Sequence, residues 1–254
     1  MDKETIVRNF SRHAALYDSY AHVQKKAAQE LLRQTPSNGV ARILELGCGT
    51  GNYTRLLRNR FKRAEIKAVD ICERMISVAR VKIRNKPVNL LVGDAEKLDL
   101  QEVFDLVTSN ASFQWFEDLE RALKKYKASL KKGGLISFSI FGPRTFAELK
   151  TSIKSALGDN ALEADGFLPR ENIEKIMLRN FKEAKLKEVV YTEQFKNLQG
   201  LLNAIKYTGT RGGGLKNKVY FSRNTLSRIN KAYLERYKKI TATYQVFFCQ
   251  GKAG

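Results

Sequence analysis

The stretch Glu45-Leu46-Gly47-Cys48-Gly49-Thr50-Gly51 decides the fold of this 254-residue chain. The apolar run that precedes it, 41–46, is typical of a buried strand, and the segment that follows, 52–60, is typical of a helix. Glycines at a strand-to-helix turn permit positive φ angles and let a ligand approach the main chain, while the helix N-terminus presents free N–H groups. The stretch therefore predicts a ligand-binding loop in an α/β sheet.

The spacing of these glycines separates the ligand classes. A dinucleotide fingerprint needs GxGxxG, but here the third glycine comes one position early and Asn52 stands where the pattern wants glycine. The GxxxxGK[ST] pattern of ATP-binding loops is also missing. Glu45 would repel a phosphate, whereas it suits a ligand that carries an ammonium or sulfonium group. The loop therefore favours a cationic ligand over NAD or ATP.

The rest of the chain alternates between strand-like and helix-like stretches. Strand-like runs lie at 66–70, 88–92, 104–109 and 135–141, with helical patterns at 73–84 and 119–130. This alternation predicts parallel βαβ units and a doubly wound sheet. Longer helical stretches follow at 145–157, 171–180, 198–205 and 222–237, with strand-like runs at 186–195 and 240–249 and a glycine-rich turn at 211–214.

We expect one domain with four parts. These are an N-terminal helical cap of one or two helices (1–38), a cofactor-binding half (39–142), a substrate lid with later strands (143–239) and a final strand (240–250).

Polar residues follow successive strands of the predicted sheet. Asp70 ends the second strand, where an acid accepts hydrogen bonds from both hydroxyls of a ribose. Asp94 follows the third strand, where a carboxylate accepts from an exocyclic adenine amine, and Asn110 follows the fourth. Ligands of open α/β sheets bind in the crevice at these strand ends, so the three side chains are expected to converge there.

This ordered set resembles the S-adenosylmethionine-dependent methyltransferases of the Rossmann-like class. The resemblance implies a mostly parallel seven-stranded sheet with an antiparallel last strand, and S-adenosylmethionine as the cofactor. The residues expected to bind it are Glu45, Gly47, Gly49, Gly51, Asp70, Met75, Asp94, Ala95 and Asn110.

The charge of the chain raises the question of nucleic acid, because 46 basic and 26 acidic residues give a formal charge of +20. Amino-methylating enzymes of nucleic acids resemble one another in an Asn/Asp-Pro-Pro-aromatic motif, but this chain reads Asn110-Ala111-Ser112-Phe113. Cytosine-5 enzymes need a thiolate, usually in a Pro-Cys or Thr-Cys dipeptide, whereas the cysteines here follow Gly, Ile and Phe. Nucleic acid is therefore not the expected partner.

Further segments resemble the malonyl-acyl carrier protein O-methyltransferases of biotin synthesis. They are Tyr17-Asp18-Ser19-Tyr20-Ala21-His22-Val23-Gln24, Ser109-Asn110-Ala111-Ser112-Phe113-Gln114-Trp115, Thr145-Phe146-Ala147-Glu148-Leu149, Phe167-Leu168-Pro169 and Thr241-Ala242-Thr243-Tyr244. They span nearly the whole chain. The stretch Thr208-Gly209-Thr210-Arg211 departs from the family, whose members more often read Gly-Ala there.

The resemblance implies methylation of the free carboxylate of a malonyl thioester on acyl carrier protein. The residues expected to position the reactants are Tyr17, Trp115 and Arg144, and those expected to contact the substrate are Tyr20, His22, Gln114, Lys206 and Arg211. No general base is expected, since a carboxylate is already ionised. A methyltransferase for a free small acid and, less favoured, an RNA methyltransferase remain alternatives.

Partners and location follow from charge and composition. Ten basic residues and one acid lie between 201 and 240, which suits docking of an acidic carrier protein. The two histidines, His13 and His22, have no evident third ligand, so we expect no metal. The chain shows neither a membrane-length apolar run nor a signal-peptide pattern at its N-terminus, and it has three scattered cysteines, so we expect a cytoplasmic protein without a membrane partner.

Overall fold

The glycine-rich stretch joins the first strand of a central sheet to the helix that follows it. The structure, a computed structural model, describes residues 2–162, 166–209 and 222–254. Its strands are Arg42–Leu46 (β1), Glu65–Asp70 (β2), Asn89–Val92 (β3), Phe104–Asn110 (β4), Leu130–Phe141 (β5), Lys182–Phe195 (β6) and Ile240–Lys252 (β7).

The helices alternate with these strands in the first half and cluster after β5. They are Lys3–His13 (α1), Tyr17–Tyr20 (α2), His22–Gln34 (α3), Asn52–Arg60 (α4), Glu73–Lys82 (α5), Leu119–Ala128 (α6), Ala147–Leu157 (α7), Arg170–Asn180 (α8), Leu198–Thr208 (α9) and Arg223–Tyr237 (α10). Short 3₁₀ turns lie at Phe113–Trp115 and Asp159–Ala161. None of the described helices is long and apolar enough to span a membrane.

The sheet has the strand order β3-β2-β1-β4-β5-β7-β6. The five strands β1 to β5 are parallel, while β7 runs antiparallel to both β5 and β6. This confirms the predicted seven-stranded Rossmann-like α/β sheet with an antiparallel last strand. The order reverses at β1 and β4, so the crevice at their carboxyl ends is the place where such sheets bind ligands.

Helices cover both faces of the sheet. On one face, α3, α4, α7, α9 and α10 contribute to a core that contains Leu31, Leu57 and Tyr233, all fully buried. On the other face, α6 and α8 contribute Leu123, Tyr126 and Met177 to a second core. Side-chain caps define several helix starts: Asp118 accepts from the Arg121 amide at α6. The central strands β1 and β4 are thus buried on both sides, as parallel strands require.

The regions outside the parallel strands lie at the N-terminus and after β5. The N-terminal segment, predicted as one or two helices, contains three, because α2 forms a separate turn between α1 and α3. The segment 143–239, predicted as a substrate lid with later strands, contains the strand β6, which pairs with β7, and its helices α8 and α9 pack on opposite faces of the sheet. Helix α9 of this segment packs against α1 and α2.

Candidate active site

A pocket of about 110 Å³ opens at the carboxyl ends of the parallel strands and is covered by α1. Eight of the nine residues predicted to bind the cofactor line it: Glu45, Gly47, Gly49, Asp70, Met75, Asp94, Ala95 and Asn110. Of the three residues predicted to position the reactants, Tyr17 and Trp115 also line it. We call this the cofactor pocket.

The backbone of the glycine loop curls around the end of β1. Gly47, Gly49 and Gly51 have φ angles of 68°, 54° and 80°, in the left-handed region that favours glycine. A Cβ on Gly47 would overlap the Ser112 side chain, whereas a Cβ on Gly49 meets no protein atom within 4 Å. Gly49 therefore lines open pocket space, and a side chain there would occupy room that a ligand needs.

Asp70 holds the loop and the start of the next helix together. Its Oδ2 accepts from the Gly49 amide at 2.8 Å, and its Oδ1 accepts from the Cys72 amide at 2.8 Å. Burial raises the pKa of the Asp70 carboxyl, and the two amides oppose this rise. Each oxygen keeps a second lone pair, so the carboxylate remains able to accept from ligand hydroxyls in the pocket.

Glu45 gives the pocket a buried acid with an incomplete set of partners. Its side chain is 1% exposed, and its Oε2 has no hydrogen-bond partner in the structure. Burial raises the pKa of this carboxyl to about 8, and the nearby charge of Asp70 adds to the rise. Burial, Asp70 and Glu45 together also raise the pKa of the Cys48 thiol well above its usual range. A ligand with a positive group would relieve this unpaired acid, so the residues present fit a cationic nucleoside.

Helix α1 closes the pocket on the side of Asp94. Asp94 Oδ1 accepts from the Glu96 amide at 3.0 Å, and the Lys3 ammonium lies 2.6 Å from Asp94 and 2.7 Å from Glu96. Ile6 and Phe10 on the same helix also line the pocket. The acid predicted to bind an adenine amine therefore forms an ion pair with the covering helix.

The other end of the pocket is aromatic. The Phe10 ring lies edge-on to Trp115 at 5.7 Å and to Tyr17 at 6.3 Å. Burial raises the pKa of the Tyr17 hydroxyl far above its usual range, so Tyr17 stays neutral and is no general base. Nearby, the Asn110 side chain donates to the Gln24 carbonyl at 3.1 Å and accepts from the Ser139 hydroxyl at 2.9 Å. These contacts fix the pocket wall between β4, β5 and α3.

Asp18 links α2 to the glycine loop. Its carboxylate accepts from the Thr50 hydroxyl at 2.6 Å and from the Asn52 amide at 2.8 Å, and it forms an ion pair with Lys82 of α5. Although half-burial acts to raise the pKa of Asp18, these partners lower it below its usual value. Because Tyr17 precedes Asp18, this network fixes Tyr17 relative to the loop.

The remaining predicted residues lie elsewhere. Gly51 immediately precedes α4, and a Cβ on it would lie 3.1 Å from Ala79 Cβ, so it serves helix packing and not the pocket wall. Arg144 is exposed and faces Glu188 at 3.5 Å, because the turn after β5 bonds to β7 and bends away from the pocket. Arg144 is therefore not placed to grip a substrate in the cofactor pocket.

The substrate-side predictions are also dispersed. Tyr20 packs on Tyr207 at 4.6 Å, and the exposed His22 begins α3. Gln114 donates to the Ala111 carbonyl at 2.6 Å, outside the cofactor pocket, while its Oε1 has no hydrogen-bond partner. Lys206 lines a neighbouring cavity, and Arg211 lies outside the described residues.

Sequence reasoning missed the pocket residues that α1 and α3 supply. Lys3, Ile6, Phe10, Gln24 and Glu96 line the pocket but were not among the predicted site residues. The spacing of Ile6 and Phe10 indicates an amphipathic helix, but it does not say which surface that helix covers. Among these five residues, only Glu96 had a local sequence signal for a place in the pocket, because it is an acid two residues after Asp94.

Comparisons with known proteins agree with the geometry. The family described as "Methyltransferase domain" matches residues 44–138. A solved S-adenosylmethionine-dependent methyltransferase of Thermotoga maritima superposes with a TM-score of 0.57 at 22% identity, covering 98% of this chain and 99% of that one. The fold and the site define an S-adenosylmethionine-dependent methyltransferase of the Rossmann-like class.

Curated relatives narrow the class. Malonyl-acyl-carrier-protein O-methyltransferase 1 of Ilyobacter polytropus is 34% identical over 239 residues, covering 93% of this chain and 88% of the relative. The malonyl-acyl-carrier-protein O-methyltransferase of Bacillus anthracis is 34% identical and covers 98% of this chain and 96% of the relative. The chain belongs to the malonyl-acyl-carrier-protein O-methyltransferase family.

Proposed function

We propose that this protein transfers a methyl group from S-adenosylmethionine to the free carboxylate of a malonyl thioester on acyl carrier protein. The observation that carries the proposal is the likeness to relatives of that name over 93–98% of the chain. Since the match to the Bacillus anthracis relative covers 98% of this chain, it extends beyond the methyltransferase-domain match at residues 44–138. The product is the malonyl methyl ester, the primer for pimelate and biotin synthesis.

Methyl transfer to a carboxylate requires no general base from the protein. When bound, S-adenosylmethionine supplies a methyl carbon on a positively charged sulfur. A carboxylate oxygen forms the new bond to this carbon as the carbon–sulfur bond breaks, and the electron pair stays on sulfur. The carboxylate is ionised at neutral pH, so no residue has to remove a proton. Alignment of oxygen, carbon and sulfur is the main task, and positioning supplies on the order of 7–11 kcal/mol in favourable cases.

Different residues of the pocket are assigned to different parts of the cofactor. We assign the Glu45 carboxylate and the glycine loop to the charged end of the cofactor, Asp70 to its ribose, and Asp94 with Ala95 to its base. The acids attract the positive group, and the loop amides remain close to the ligand because Gly49 has no side chain. Met75 is buried and supplies apolar surface to the same wall.

Tyr17 and Trp115, with Phe10 between them, are assigned to the reacting end. An anion and a sulfonium lose their charges as the methyl group moves, so a water-poor aromatic lining favours the transition state over the separated ions. Ile6 and Phe116 add apolar side chains to the lining of the same pocket. Tyr17 acts by position alone, since burial keeps its hydroxyl protonated.

The positive charge of the chain supports an acidic protein partner. Opposite charges between a +20 enzyme and an acidic carrier protein would speed encounter and orient docking in a salt-dependent way. The three cysteines are all free and buried, which suits a reducing compartment, so we place the reaction in the cytoplasm.

The test is methyl transfer from radiolabelled S-adenosylmethionine to malonyl-acyl carrier protein. We expect a base-labile label on the acyl group, and no label on the carrier bearing acetyl, which lacks the carboxylate. Free malonate and bulk RNA serve as competing acceptors. Label that appears only on a free acid or only on RNA would refute the proposal and identify the acceptor class.

A further inference from the structure

A second cavity lies beside the cofactor pocket, between helices α1 and α9. Its volume is about 120 Å³. Its walls include Arg12 and His13 of α1 and Lys206 and Gly209 of α9. We call it the α1–α9 pocket. The mechanism above does not use it.

The α1–α9 pocket shares a wall with the cofactor pocket. Phe10 and Trp115 line both cavities, and their rings meet edge-on at 5.7 Å with an interplanar angle of 89°. This aromatic pair therefore stands between the α1–α9 pocket and the aromatic end of the cofactor pocket.

Contacts between α1, α2 and α9 hold these helices together beside the cationic residues. The Tyr207 ring of α9 packs on His13 at 4.9 Å and on Tyr20 at 4.6 Å. At the end of α9, Gly209 has a φ angle of 66°, and a Cβ on it would lie 2.7 Å from the Phe10 ring. The end of α9 is thus held against α1, and Lys206 and Arg12 line the same cavity.

The charge of the α1–α9 pocket has one sign. None of the described residues that line it is acidic. Across the described ranges, neither Arg12 nor Lys206 has a carboxylate within ion-pair distance; the Lys206 ammonium lies 5.5 Å from the Tyr207 ring centre. Arg12 and Lys206 are both exposed, and they line one cavity that has no acid among its described lining residues; such a pair of cations favours an anion with oxygen acceptors.

We infer that the α1–α9 pocket binds an anionic oxygen group of the acyl substrate through Arg12 and Lys206. This inference rests on the proposed function. The substrate has two such groups, the malonyl carboxylate and the phosphate of the pantetheine arm, and each accepts charge-assisted hydrogen bonds from these cations. The pocket then serves as the substrate entrance, with Phe10 and Trp115 between it and the cofactor.

Binding at this entrance is measurable without turnover, because Trp115 is the only tryptophan of the chain and lines the cavity. We would titrate the protein with phosphopantetheine, which lacks the carboxylate, and with malonyl-pantetheine, which lacks the phosphate, and follow tryptophan fluorescence. The variant is Arg12→Gln with Lys206→Gln. The matched control is Lys62→Gln with Arg63→Gln, which removes two exposed positive charges from the loop before β2, at the amino end of that strand and not at the carboxyl ends where the cofactor pocket opens.

We expect the Arg12/Lys206 double variant to bind at least one probe about tenfold or more weakly, while the Lys62/Arg63 variant matches the wild type. A loss confined to phosphopantetheine assigns the phosphate to the pocket, and a loss confined to malonyl-pantetheine assigns the carboxylate. Equal affinities in the Arg12/Lys206 variant and the wild type would overturn the inference. The same holds if the control variant weakens equally, or if the wild type gives no saturable signal with either probe.

Folding and function are separated by two further measurements. The thermal midpoint of the Arg12/Lys206 variant should match that of the wild type, and Arg12→Lys with Lys206→Arg should restore probe binding. If the wild type binds the probes through these residues but methylates no malonyl thioester, the proposed function fails and the inference stands. If it methylates malonyl-acyl carrier protein with a KM unchanged in the Arg12/Lys206 variant, only the inference fails.

Discussion

Replacing Glu45 with glutamine tests two effects of this buried acid, which are its destabilisation of the fold and its contribution to cofactor binding. Glutamine keeps the shape of the side chain and removes its titration. The wild-type carboxyl has a pKa of about 8 in the folded protein, against an ordinary value of 4.5. The folded state therefore holds the proton more tightly than the unfolded state does, and ionisation of Glu45 destabilises the fold.

The size and sign of the effect follow from linkage. Below pH 4.5 the carboxyl is protonated in both states, so the glutamine variant and the wild type should have similar stability. Between pH 4.5 and about 8 the Glu45 carboxyl ionises readily only in the unfolded state, so the wild type loses stability relative to the variant as pH rises. At pH 7 the difference is about 3 kcal/mol, at 1.36 kcal/mol per pH unit, which corresponds to a thermal midpoint roughly 6–12 °C higher in the variant.

The Glu45→Gln substitution, which should stabilise the fold, should weaken cofactor binding. A positive ligand group favours the ionised Glu45, so binding below pH 8 must release a proton. The affinity of the wild type for S-adenosylhomocysteine should rise up to about tenfold per pH unit between pH 6 and 7.5 and level off above 8. In Glu45→Gln the affinity should fall at least about tenfold at pH 8 and lose most of this pH dependence.

Calorimetric titration in two buffers of different ionisation enthalpy measures both the affinity and the proton release. Glu193→Gln is the matched control, because Glu193 also has a buried, unpartnered Oε2 and a pKa that burial raises, but does not line the pocket. It should leave cofactor affinity unchanged. An unaltered affinity and pH profile in Glu45→Gln, or a variant no more stable than the wild type at pH 7, would refute this account of Glu45.

Three further predictions concern the loop and its supports. Asp70→Ala removes the acceptor of two loop amides and should raise the KM for S-adenosylmethionine about tenfold or more; an unchanged KM would count against placing the ribose there. Gly49→Val should abolish S-adenosylhomocysteine binding in calorimetry, whereas Gly133→Val, which also has a positive φ and no atom within 4 Å of its Cβ but lies outside the pocket, should lose similar stability and keep binding. Asp18→Asn weakens the link between α2 and the loop and should raise the KM for the cofactor about five- to tenfold; Glu102→Gln, which breaks the half-buried ion pair with Lys67 outside the pocket, is the control that should leave this KM unchanged.

The parallel half of the sheet was predictable because each of its elements carries a local signal. Helix α4 lies at Asn52–Arg60 as predicted, and β4 extends the prediction by one residue to Asn110. Apolar runs between glycine or acidic turns fix these strands, since both faces of the sheet are covered. The polar residues that follow the strands were placed by the same logic, and eight of the nine predicted cofactor residues line the pocket.

The substrate side was less predictable because it depends on contacts between distant helices. Arg144 follows a strand end, as functional residues often do, but the turn that carries it bonds to β7. Phe10 and Lys3 have no local motif, and only the docking of α1 over the sheet brings them to the pocket. Hydrophobic periodicity identifies the apolar face of a helix but not the surface against which that face packs. The place of these residues in the pocket therefore follows from the structure alone.

The position of β7 between β5 and β6 has a consequence for synthesis on the ribosome. Strand β6 pairs with β7 and with no other described strand, yet about 45 residues separate the end of β6 from the start of β7. At a synthesis rate of roughly 5–20 residues per second, the fourteen-residue β6 stays unpaired for several seconds until β7 has been synthesised. Its alternation of exposed and half-buried positions, with lysines and glutamates along it, discourages pairing with a neighbouring nascent chain during this interval.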